Sequence, residues 1–101
     1  MLTLNELLTE TTEYEFKSEL EAKRPKSWLK TVSAFANGLG GSFFFGVDDG
    51  GNPVGLADVK GASDQISRLI KERISPLPEF NLTAYRIEGD KNILVLQIPH
   101  G

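Results

Sequence analysis

The chain has 101 residues, no cysteine, and 11 Lys and Arg against 14 Asp and Glu, for a formal net charge of −3. That length is one domain able to bury a core; the absent cysteines exclude disulfides, zinc fingers and thiol catalysis and fit a cytoplasmic site. The charge excludes a uniformly basic nucleic-acid binder, and no apolar run is long enough for a membrane span or signal peptide, so any nucleic-acid contact must be a local basic face or come from an assembly.

In chain order, Leu4, Leu7 and Leu8 have helical spacing, with Thr3 as N-cap and Glu6 three residues on. Tyr14-Glu15-Phe16 reads as a short strand, and the charged, proline-broken stretch from Glu19 to Pro25 as a loop. A second helix follows. Its apolar stripe is Trp28, Leu29, Val32, Phe35 and Ala36, while Lys26, Lys30 and Thr31 face away. It ends at Asn37-Gly38, and Gly40-Gly41 supplies the turn. Ser42 to Val47 is apolar throughout, which fits a strand covered on both faces. Asp48-Asp49-Gly50-Gly51-Asn52 predicts a hairpin turn, with Pro53 to Leu56 returning as a short strand.

Ser63 then caps a third helix with Ile66, Leu69, Ile70 and Ile74 inward, ended by Pro76 and Pro78. Leu82–Ile87 and Asn92–Ile98 form a hairpin around Glu88-Gly89-Asp90-Lys91. The order α-β-α-β-β-α-β-β predicts an α/β (α+β) domain with a mixed sheet and two long amphipathic helices. Ile93 to Ile98 is a strong strand close to Pro99-His100-Gly101. Residues 1–101 are therefore expected to be the N-terminal domain of a longer protein. The last strand is expected to be an edge that pairs with a partner chain.

Three groups of residues bear on chemistry. Glu10, Glu15 and Lys17 share one short block, and Asp49 lies at the far end of the next long strand. If the strands are neighbours, the carboxylates could share a divalent cation, which takes oxygen ligands. Solvated turn and edge charges explain the same spacing. The Asn37-Gly38-Leu39-Gly40-Gly41 junction could offer N–H groups to a phosphate. A helix end followed by a tight turn is the favoured reading, and no Gly-x4-Gly-Lys-Ser/Thr loop occurs. Finally, Lys23, Arg24, Lys26 and Lys30 cluster at the start of the second helix, near Lys17, while Lys60, Arg68 and Lys71 recur along the third. Such patches suit phosphate contacts, or an ordinary solvated helix face.

The blocks Glu10-Thr11-Thr12-Glu13-Tyr14-Glu15-Phe16-Lys17 and Ala34 to Gly50 resemble the Schlafen/Alba-like domain of bacterial regulators, a family with members labelled divergent AAA ATPase or RecG-helicase-related. The resemblance spans about residues 8 to 98. It implies a nucleic-acid-binding domain of a bacterial transcriptional regulator, with DNA the expected partner ahead of RNA. It also implies an alternative, a metal-dependent endoribonuclease. In the Schlafen nuclease core two glutamates of Glu-x4-Glu-Phe-Lys and the last aspartate of Gly-Val-Asp-Asp are catalytic. Those positions here are Glu10, Glu15 and Asp49, with Mg²⁺ or Mn²⁺ as the implied cofactor. That core joins two lobes in one chain, whereas this chain has one, so a homodimer is expected to build the groove. A dimerisation or interaction module without nucleic acid is the third reading. Nucleic-acid contacts are assigned to Lys17, Lys23, Arg24, Lys26 and Lys30.

Overall fold

A computed structural model describes residues 2–11, 13–18 and 26–99. Its elements are α1 (Leu4–Leu8), β1 (Tyr14–Lys17), α2 (Lys26–Asn37), β2 (Gly41–Phe45), α3 (Val59–Arg73), β3 (Asn81–Ile87), a 3₁₀ turn over Glu88–Asp90, and β4 (Lys91–Ile98). The α/β mixed-sheet reading and its element order hold. The return strand expected at Pro53 to Leu56 keeps its place but shrinks to one bridge, Val47↔Pro53. Proline has no N–H for a ladder, and Gly55 turns the chain at φ +81. Its neighbours hook onto the sheet instead: the N–H groups of Val54 and Gly55 donate to the Gly46 carbonyl, and that of Leu56 to Asn92.

The sheet runs β1-β2-β4-β3. β1 and β2 are parallel, which requires the crossover that α2 provides. β2–β4 and β4–β3 are antiparallel. β4 is therefore an interior strand, paired on both sides. The expectation that Asn92 to Ile98 forms an open edge is overturned. The long-range pairing of Gly41–Phe45 with Leu94–Ile98 uses the backbone groups that the hairpin with β3 leaves free. Among the described residues the sheet's edges are β1 and β3.

Alternation along the strands divides the core. Phe43, Phe45, Leu94, Leu96 and Ile98 face α2 and α3, where they meet Trp28, Val32, Phe35, Ile66 and Ile70. Phe44, Ile93, Val95 and Ile87 face the other way and are covered by α1 through Leu4, Leu7 and Leu8. Every residue of β2 is buried, as its unbroken apolar run predicts. Trp28 is wholly buried, with ring centroids 6.4 Å from Phe43 and 5.9 Å from Phe45. It is a core anchor, as the stripe implies.

The helix ends are set by local chemistry. Thr3 caps α1 by accepting from Glu6 N–H, as expected. α3 starts earlier than Ser63: Asp58 is the cap, accepting from the Gly61 N–H at 2.9 Å. Asp58 captures an orphan amide of the first turn, and Gly61 lets its carboxylate approach, because a Cβ there would collide with it. At the end of α2 the N–H groups of Gly38 and Gly40 both donate to the Phe35 carbonyl, at 3.2 and 3.0 Å. Gly40 sits at φ +86. The Asn37–Gly41 junction is thus a helix end, with these two amides already committed.

Candidate nucleic-acid interface

The carboxylates of the two sequence blocks are positioned by the parallel pair β1–β2. Glu15 stands opposite Phe43 and Lys17 opposite Phe45, so both share the α2 side of the sheet. Glu10 lies before β1 in the turn that leaves α1, its N–H donating to Leu7 at 3.3 Å. It borders a shallow recess with Thr11, Ser42 and Gln97, at the starting end of β2. Asp49 lies past the opposite end of β2, on the exposed tip of the turn. Strand residues advance by about 3.3 Å each, so Gly41 to Phe45 alone covers roughly 13 Å. Because the strands run the same way, Glu10 is drawn to one end of the pair and Asp49 to the other.

Among the described residues no group of three His, Cys, Asp or Glu side chains could hold a metal ion. The parallel pair carries Glu15 on one face and sets Glu10 and Asp49 at its two ends. The neighbouring Asp48 has a clear structural task that the sequence did not single out. Its Oδ1 accepts from the N–H groups of Gly50 at 3.0 Å and Asn52 at 2.8 Å, closing the turn. The backbone completes it, with Gly51 donating to the Asp48 carbonyl at 2.9 Å.

The basic residues give a more connected picture. Lys23 and Arg24 lie outside the described residues. Lys26 begins α2, and Lys30 follows at the i+4 spacing that stacks positions on one helix face. Lys30 is exposed and lines an open groove with Leu29, Ser33, Arg73 and Ile74. Arg73 comes from the last turn of α3, where a cation also suits the helix dipole. Two helices distant in sequence thus set a lysine, a serine and an arginine along one groove. The groove continues past Ser33 to Asn37, Ser75 and Leu77, and Glu79 borders its far end. The positive stretch is therefore the Lys30–Arg73 end.

Lys17 is half-buried on the same side of the sheet. Its carbonyl accepts from the N–H groups of Gly46 at 2.7 Å and Val47 at 3.3 Å, tying β1 to the end of β2. Lys60, Arg68 and Lys71 are exposed along α3, as the sequence pattern predicts. Arg73 was not among the sequence candidates. Its neighbour Ile74, which packs against the core, is the signal that places the end of α3 against α2.

No curated protein matches the chain. Among solved structures, the chain is similar to the solution NMR structure of the N-terminal domain of an ATP-dependent DNA helicase RecG-related protein from Nitrosomonas europaea. The identity is 28%, the TM-score 0.66, and the match covers 100% of this chain and 75% of that one. The family described as Schlafen, AlbA_2 matches residues 10–101, which include both sequence blocks and every strand of the sheet. The chain belongs to the Schlafen, AlbA_2 family.

Proposed function

We propose that this domain binds nucleic acid, DNA ahead of RNA, through phosphate contacts along the face where α2 meets the end of α3, as the binding module of a transcriptional regulator. The observation that carries this reading is the shared groove of Lys30, Ser33 and Arg73. Family membership and the RecG-related relative support a nucleic-acid role. A molecule with a net charge of −3 needs such a local patch, because its overall field repels a polyanion. Arg and Lys supply charge-assisted hydrogen bonds to phosphate, and Ser adds a neutral one. Phosphate contacts of this kind carry no sequence information, so the expected binding is largely independent of sequence and strongly dependent on salt.

The test is fluorescence anisotropy with labelled duplex DNA at low salt, and with single-stranded RNA in parallel. Lys30→Glu with Arg73→Glu is expected to weaken binding by at least about tenfold, across unrelated sequences. Lys91→Glu makes the same change of charge as Lys30→Glu alone, but on the α1 side of the sheet, and is expected to leave affinity nearly unchanged. Equal losses from these two single variants would reduce the effect to net charge. Full affinity in the double variant would reject the groove.

A further inference from the structure

The sheet ends at β3, and among the described residues no strand covers its outer edge. Natural edge strands are usually blunted by proline, by a bulge, by shortness or by an outlying charge. β3 has seven residues and no proline. Its register with β4 is unbroken from Asn81↔Gln97 to Ile87↔Lys91, so there is no bulge. Its single charge, Arg86, is paired within the chain to Asp90 at 3.3 Å. Thr83, Ala84 and Arg86 are exposed.

We propose that this edge is a self-association surface: β3 pairs antiparallel with β3 of a second copy, centred on Ala84, to make one continuous sheet across a two-fold axis. The residue pattern selects both partner and register. Centring on Ala84 is the register that overlaps all of Asn81–Ile87. It sets Ala84 against Ala84, Thr83 against Tyr85, and Leu82 against Arg86. Threonine opposite an aromatic ring is a favourable cross-strand pair, and the aliphatic stem of arginine can lie over leucine. No like charges are opposed. Moving the axis to Arg86 would set guanidinium against guanidinium and shorten the overlap. The other edge, β1, has only four residues and carries both Glu15 and Lys17.

In the Ala84-centred register, residues facing α2 and α3 oppose residues facing the same way. Both helical layers then lie on one side of the joined sheet. The two Lys30–Arg73 grooves share that side, although the pairing stands whether or not those grooves bind nucleic acid.

The test is sedimentation velocity over a wide concentration range. The wild-type chain is expected to show a concentration-dependent dimer. Ala84→Arg and Ala84→Asp each oppose like charges on the axis, and each is expected to raise the dissociation constant on the order of tenfold. An equimolar mixture of the two is expected to restore dimer, which a simple folding defect would not do. Ala84→Cys gives a second readout. The chain has no cysteine, and opposed Cα atoms in an antiparallel pair lie about 4.5–5.5 Å apart, within disulfide reach, so mild oxidation should cross-link it. A wild-type chain that stays monomeric throughout would overturn the proposal. So would a dimer that Ala84→Arg leaves intact, since that dimer would use another surface.

Discussion

Adjacent aspartates show how far a residue's role depends on where its oxygens point. Asp48 and Asp49 are alike as letters, yet Asp48 holds two backbone amides of its turn while Asp49 is exposed at the tip. Asp48→Ala removes both bonds and is expected to lower stability by about 1–2 kcal/mol. Asp49→Ala should stay within about 0.5 kcal/mol of the wild type. Urea denaturation midpoints for the two variants check the contrast, and equal midpoints would contradict it. Trp28 presents a different balance. Its indole Nε1 is buried without a hydrogen-bond partner, a situation that costs about 1–3 kcal/mol in the native protein. Trp28→Ala should cost about 3–5 kcal/mol through the cavity it leaves between α2 and β2. Trp28→Phe should cost distinctly less, because the orphan donor disappears while a ring remains. A phenylalanine variant as unstable as the alanine one would show that the indole N–H contributes favourably after all.

At the scale of elements, α1 illustrates a helix that exists only by attachment. Five residues are far too few for an independent helix. Besides Thr3, the distant Glu88 holds it: the Leu4 N–H donates to both Glu88 carboxylate oxygens, at 3.1 and 3.2 Å. A negative charge also suits a helix N-terminus. Glu88→Ala is expected to cost about 0.5–1.5 kcal/mol and to lower hydrogen-exchange protection in α1 selectively. Unchanged protection at α1 amides would show that Leu4, Leu7 and Leu8 hold the helix by packing alone. The Thr3 cap was legible because it lies next to the periodic leucines; the Glu88 partner was not, because it belongs to the opposite end of the chain. Similarly, the stripe of α2 announced its inward face. The true start of α3 hid behind Gly61, which weakens the helical pattern but makes room for the Asp58 cap. Ser63 looked like a cap only because it sits just ahead of the apolar series.

For the whole molecule, the sequence carried the fold class, the element order and the buried character of β2. Strand order was beyond it. The pairing of β2 with β4 is a long-range choice, and it turns the expected edge strand into an interior one. The same limit applies to the site. Glu10, Glu15 and Asp49 match a pattern by spacing, but the direction of the parallel strands spreads Glu10 and Asp49 to opposite ends. Lys30 could be named from its helix face, whereas Arg73 becomes visible only when α3 is laid beside α2. Nucleic-acid binding at that junction is the central claim. The direct measurement is the slope of log affinity against log salt concentration for duplex DNA, compared between the wild type and Lys30→Ala with Arg73→Ala. Each phosphate contact contributes about −0.9 to that slope in B-form DNA. The double variant is predicted to bind more weakly with a slope shallower by about 1.8, while an identical slope and affinity in the two proteins would contradict the account.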